Sequence, residues 1–237
     1  MPPTATASAT PTALLGSGVG GGGVSSSIKT ALHDAVRKSQ ERDNTPKEYF
    51  RMSSVGQCPR AQIAMRAGIP PSNPWAMRVS FKMWGGTVLG REIQKILETE
   101  GFLDPAWTEK EVRYRSYVGH CDGSSLALPL GRCIVELKTS DDSAVVKPDW
   151  PEHYQWQGLT YCLATGLHSL LVFQFGKNQG LSRERVFALT NEWIQKIDTH
   201  IDTMERLWGV YEQTNLLPPH THRFGWEDAT CRMKEGV

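Results

Sequence analysis

A mixed α/β domain with a central sheet flanked by helices is predicted by three observations. The 237 residues, 39% of them apolar and 22% charged, are enough to bury a real core in one domain. Hydrophobic periodicity alternates along the chain: helix, three strands, helix, one or two strands, helix. Gly, Pro and Asn breakers close several of these segments, at Asn44-Thr45-Pro46, Gly68, Gly101 and Gly166. No internal repeat is present.

Residues 1–27 carry no charge, and 22 of the 27 are Gly, Pro, Ala, Thr or Ser. Such a stretch cannot bury enough apolar surface to offset its ordering entropy, so a disordered tail is expected there. Its only apolar nucleus is Leu14-Leu15 and it lacks a basic start, which argues against a secretory signal. A single domain is expected over 28–237. It comprises a basic helical part at 28–100, a catalytic core at about 80–190, and a C-terminal helix at 190–213 followed by a tail.

An amphipathic helix is predicted over 28–43, ending before Asn44-Thr45-Pro46. A short helix follows Ser53-Ser54 and runs through CPRAQIAMRAG to a stop at Gly68. After a Pro-rich loop, residues 80–100 form a longer helix whose apolar face is Val88, Ile93, Ile96 and Leu97, ended by Gly101. EVRYRSYVGHCDG alternates like a half-exposed strand, and 120–128 and 132–139 read as two more, joined across Pro129-Leu130-Gly131. A loop is expected at Asp141-Asp142. PEHYQWQGLTYCLATG is a helix closed by Gly166, HSLLVFQFG a buried strand and SRERVFAL a further one. The last helix runs from an N-cap at Thr190 to Gln213.

Composition excludes several classes of function. No apolar run approaches the roughly 20 residues that span a bilayer, and a net charge of +1 does not suit a histone-like binder. The five cysteines include no CxxC pair, which points to reduced thiols in a cytoplasmic setting. Cys121, Cys133 and Cys162 read as small buried hydrophobes. A zinc site from His220, His222 and Cys231 would need a fourth ligand at unusual spacing and is not expected.

The chemistry concentrates in Asp122 and, fourteen residues later, Glu136-Leu137-Lys138. Glu136 and Lys138 lie two apart in a strand, so they share a face of an otherwise apolar element. Buried charges need partners, and a divalent cation is one. Asp122 on a neighbouring antiparallel strand would add a second hard oxygen ligand for Mg²⁺ or Mn²⁺. Lys138 beside it would orient or help deprotonate a water, or stabilise charge on a phosphate. Metal-assisted phosphodiester hydrolysis follows, although an isolated ExK is ordinarily a surface decoration. Gln157 and Tyr161, at i and i+4, share one face of the next helix.

The string GHCDG–x₁₂–ELK–HYQWQGLTYCLATG resembles the PD-(D/E)xK nuclease superfamily, in the branch of RecB nuclease domains, lambda-type phage exonucleases and CRISPR-associated exonucleases. It covers roughly residues 50–176. The resemblance implies a restriction-endonuclease-like α-β-β-β-α-β core. It implies metal ligation by Asp122, Glu136 and the Leu137 carbonyl, catalysis by Lys138, and positioning by Gln157 and Tyr161. Such enzymes hydrolyse DNA to 5′-phosphates, at linear duplex or single-stranded ends, in recombination, repair or phage DNA metabolism. A recombination or single-strand annealing protein is the implied partner, and the cytoplasm (of the host, for a phage enzyme) the implied location. An endonuclease of the same fold and a catalytically impaired DNA-binding module are the alternatives.

Two departures from the family pattern stand out. Gly90 falls where the family's helical histidine would, and Glu92 is the nearest acidic substitute. Cys58 in GQCPRAQ resembles the first cysteine of the iron–sulfur members, but only Cys231 follows near the C-terminus, so a four-thiolate cluster is not expected. Arg60 is then a candidate phosphate contact.

Charge is polarised along the chain. Residues 28–91 hold 11 Lys+Arg and 4 Asp+Glu, or +7, while 92–237 hold 15 and 21, or −6. Arg51, Arg60, Arg66, Arg78, Lys82 and Arg91 are candidates to line a path for DNA phosphates. Trp75, Phe81 and Trp84 lie among them, as stacking platforms for unpaired bases or as core residues.

Overall fold

A computed structural model of the chain describes residues 28–41, 44–72, 76–126 and 131–224, together with Glu227, Cys231 and Met233. The predicted N-terminal tail, Trp75 and the turn residues Pro129 and Leu130 lie outside the described residues. Six helices and seven strands follow in the order α1 (Ile28–Glu41), β1 (Phe50–Arg51), α2 (Pro59–Arg66), α3 (Met77–Thr99), β2 (Lys110–Tyr114), β3 (Tyr117–Cys121), β4 (Gly123–Ser125), β5 (Cys133–Ser140), α4 (Asp142–Val145), α5 (Glu152–Thr165), β6 (Ser169–Gly176), β7 (Ser182–Ala188) and α6 (Asn191–Thr214). No described helix is long and apolar enough to cross a membrane.

Two sheets share the core. One has the order β1-β3-β2 and the other β4-β5-β6-β7. In the second, β5 and β6 are parallel, with Glu136 opposite Val172 and Lys138 opposite Gln174. The α5 helix is their crossover, as a parallel pair requires. β4 and β7 are antiparallel edges. These two central strands are buried and apolar over Cys133–Val135 and at Leu170 and Val172, so a charge on them is conspicuous.

The predicted single strand at EVRYRSYVGHCDG is a hairpin, β2 pairing antiparallel with β3. The turn is at Arg115-Ser116, and Arg115 holds a left-handed φ of 52°. A turn without Gly, Asn or Asp leaves little trace in sequence. The Asp141-Asp142 loop contains the single helical turn α4, and the two-residue β1 is too short to give a periodic signal.

The α3 helix starts three residues before its predicted start and packs on a different face. Val88 is 43% and Ile96 61% exposed, whereas Gln94 and Ser80 are buried. Gly86 lets the helix approach β5 so closely that a Cβ there would lie 2.7 Å from Thr139 Oγ1. Of the predicted face, Leu97 does pack against Cys133 and Val135 of β5. The α5 helix is buried on most sides (Trp156, Gly158, Leu159, Thr160, Tyr161, Cys162) because it touches strands of both sheets. Gly158 makes that possible, since a Cβ there would meet Leu170 at 2.4 Å. Gly166 ends α5 in the left-handed region at φ 71°, and Thr190 caps α6 by accepting from the Trp193 N–H, both as predicted.

Candidate active site

Asp122 sits at the bend between β3 and β4, where the chain leaves the three-stranded sheet and enters the four-stranded one. The bend is held from two sides. Gln94 Nε2 donates to the Asp122 carbonyl at 2.6 Å, and the Leu137 N–H donates to Asp122 Oδ2 at 2.7 Å. Gly123 pairs with Val135, so the next step of the antiparallel register brings Asp122 alongside Glu136.

Glu136 is 1% exposed. Its Oε1 lies 2.5 Å from Lys138 Nζ, which also donates to Gln157 Oε1 at 2.9 Å. Gln157 Nε2 in turn donates to the Tyr161 hydroxyl at 3.2 Å. Glu136 and Lys138 thus share a face of β5, and one turn of α5 supplies the residues that meet them. The five residues Asp122, Glu136, Lys138, Gln157 and Tyr161 form one contiguous cluster.

Electrostatics distinguish this cluster from a surface salt bridge. Burial, and then the neighbouring Glu136, push the Asp122 carboxyl up to about 8. Burial also raises Glu136, against the opposing pull of Lys138. Burial works against the Lys138 charge, but Glu136 and Asp122 together hold its pKa above the usual lysine value. One buried and one half-buried carboxyl with a single ammonium are thus left short of positive charge. In addition, Glu136 Oε2 is buried and has no hydrogen-bond partner among the described residues. Buried carboxylate oxygens are rarely left so. An oxygen-seeking divalent cation fits this donor set, with Asp122 and Glu136 as its hard ligands.

Glu92 is not brought to the site. It lies on the solvent side of α3, 59% exposed and 2.7 Å from Lys95 Nζ. Two residues along a helix differ by about 200°, so Gln94 facing Asp122 turns Glu92 away. Gln94 was missed in the sequence, although it lies four residues after Gly90, on the row where the family's histidine would fall.

The basic residues separate into two groups. Arg66 stacks over Trp208 at 4.0 Å and over Phe50 at 4.7 Å, and burial lowers its pKa, which makes it part of the core. Arg60 Nη1 donates to the Pro218 carbonyl at 3.1 Å and so ties down the segment after α6. In the other group, Arg51 lines a cleft of about 610 Å³ together with Lys138, Tyr154 and Gln157. Arg78, Lys82 and Arg91 are exposed on α3, with Lys82 3.0 Å from Asp141. Trp84, 44% exposed, packs edge-on against Phe81 on the same helix.

Cys121, Cys133 and Cys162 are buried free thiols, as expected. Cys58 comes together with His220, His222 and Cys231, so a fourth metal-ligating side chain that local spacing did not offer stands beside the three.

No family model matches the chain, and no curated protein does either. Solved structures are similar in fold. The crystal structure of SSO0001 superposes with a TM-score of 0.51 at 14% identity, over 87% of this chain and 94% of that one. An alkaline exonuclease from Laribacter hongkongensis gives 0.49 at 11% identity, over 76% and 94%. A phage related exonuclease from Haemophilus somnus gives 0.43 at 13%, over 74% and 100%. At these identities the likeness is one of fold.

Proposed function

We propose that this chain is a metal-dependent deoxyribonuclease, acting as an exonuclease on DNA ends. The observation that carries this is the buried Glu136, with its unsatisfied carboxylate oxygen, alongside half-buried Asp122 and a lysine fixed by Gln157. Asp122, Glu136 and the Leu137 carbonyl would hold Mg²⁺ or Mn²⁺. The bound ion would supply Lewis-acid polarisation of the phosphate and a lower pKa for the attacking water. Without metal, Glu136 and Asp122 hold the Lys138 pKa above the usual lysine value. Its work is to orient or help deprotonate the water and to stabilise charge on the phosphate. Gln157 and Tyr161 fix its side chain in place. Water oxygen bonds to phosphorus as the bond from phosphorus to the 3′-oxygen breaks, and the proton the water gives up is balanced by one taken by that oxygen, leaving a 5′-phosphate and a 3′-hydroxyl. Arg51, Arg78, Lys82 and Arg91 guide the DNA backbone.

A second reading, a DNA-binding module without catalysis, draws on the position of Glu92 outside the site. Incubation with end-labelled linear and circular DNA in Mg²⁺, Mn²⁺ or EDTA separates the readings. The expected result is degradation of linear DNA only, abolished by EDTA and reduced about 10²–10⁴-fold in Lys138→Ala. Cleavage of circles would indicate an endonuclease. Retained DNA binding with no cleavage under any metal would support the second reading.

A further inference from the structure

We propose that Cys58, His220, His222 and Cys231 bind one structural Zn²⁺, which fastens the segment after α6 to the start of α2 and completes one wall of the cleft. Their ligand atoms all lie within 4.8 Å of one another. His220 Nδ1 is 3.6 Å from Cys58 Sγ and 3.8 Å from Cys231 Sγ. A tetrahedral zinc with bonds of about 2.0–2.3 Å sets its ligand atoms about 3.3–3.8 Å apart. The two sulfur-to-nitrogen distances already match that spacing closely. An iron–sulfur cluster places bridging sulfides between its terminal ligands and needs a wider cage.

The donor chemistry agrees. Two thiolates and two imidazoles form a soft-to-borderline set that suits zinc, and the cluster contains no carboxylate to favour Mg²⁺ or Ca²⁺. Two thiolates also neutralise the dication, so the site closes without net charge. Cys58 and Cys231 are 1% and 6% exposed, as a closed structural site requires and a catalytic one does not.

Independent contacts deliver the ligands. The buried Glu227 carboxylate accepts the Cys58 N–H at 2.6 Å and the Arg223 and Phe224 N–H groups at 2.8 Å each. It thereby ties Arg223, Phe224 and Glu227 to the first residue before α2. Arg60 holds Pro218 from the other side. Among the described residues this satellite core is small, with Cys58, Ala64, Cys231 and Met233 buried and Ala61, Ile69 and Leu217 packed against them. A core of that size is commonly stapled by a metal.

The site also bears on substrate. Cys58, Cys231 and Met233 line the same cleft as Arg51, Lys138 and Gln157. Zinc would therefore fix one wall of the cleft at a distance from the reacting phosphate.

The test uses the full chain, purified without chelator. Elemental analysis should find about one zinc per chain. Co²⁺ exchanged into the protein should give intense visible d–d bands and thiolate-to-cobalt charge transfer, the signature of a tetrahedral S₂N₂ site. Cys58→Ser and His222→Asn should each lose the zinc, while Cys162→Ser, altered in a distant buried thiol, should keep it. If the ligand variants fail to fold, the wild-type cobalt spectrum decides alone. Metal-free protein, a weak octahedral cobalt spectrum, iron with acid-labile sulfide, or a Cys58–Cys231 disulfide would each overturn the proposal. None of these readouts depends on nuclease activity.

Discussion

Asp122 carries the clearest consequence of a single side chain. Its carboxyl, ordinarily near 3.8 as in the unfolded chain, is pushed up to about 8 in the fold. Between those values the metal-free folded protein keeps a proton that the unfolded chain has released. Stability from this group is therefore present below about 4 and is lost as pH rises through about 8. Asp122→Asn keeps an oxygen to accept the Leu137 N–H and removes the titration. In EDTA, the variant should melt several degrees above wild type at pH 8, with the gap closing toward pH 4. A gap independent of pH, followed by calorimetry, would show that Asp122 is not held protonated. Added Mg²⁺ should raise the wild-type melting temperature at pH 8 and leave the variant unmoved.

At the scale of elements, catalysis depends on how closely α5 approaches β6. Gly158 sits between Gln157, which holds Lys138, and Leu170 on β6, with 2.4 Å available to a Cβ. Gly158→Ala should cost about 1–3 kcal/mol by overpacking, read from denaturant melts. Because the helix must retreat, its kcat should fall further than stability alone explains. The α5 helix was legible in the sequence because its breakers and its QxxxY spacing are local. The packing face of α3 was not, because a glycine and a buried glutamine carry no hydrophobic signal. The β2–β3 hairpin was missed for a similar reason, since its turn is imposed on Arg115 by the pairing of its strands. That Asp122, Glu136 and Lys138 lie together was legible because their spacing matches a hairpin. Glu92 was misplaced because helical phase, not proximity in sequence, decides what faces the strands. Cys58 and Cys231 could be seen individually, but nothing in their spacing says that 173 positions of chain close between them.

For the whole molecule, the near-neutral net charge conceals a basic segment at +7 and an acidic remainder at −6. The fold spends part of that basic charge internally, in the Arg66 stack and the Arg60 tether. The other residues proposed to meet phosphates are Arg78, Lys82 and Arg91, exposed on α3, and Arg51 in the cleft. Arg78→Ala with Lys82→Ala should weaken duplex binding and lower the slope of log K against log salt by about 0.9 per lost contact. Arg66→Ala should leave that slope unchanged and lower the melting temperature. A fluorescence anisotropy titration over several salt concentrations distinguishes the two outcomes, and a slope unchanged in the α3 variant would remove that helix from the DNA path.

The Glu227 clasp has a consequence for the order in which the protein is made. Synthesis runs from the N-terminus, so the charge cluster of Asp122, Glu136 and Lys138 leaves the ribosome well before the residue that pins Cys58 in place. Both sheets and α6 are complete while the cleft still lacks the wall to which Cys231 and Met233 contribute. A chain interrupted after Thr214 would therefore carry every charged group of the cluster on an unfinished cleft. Nascent and broken chains that stop there are in this way set apart from those that carry the segment after α6.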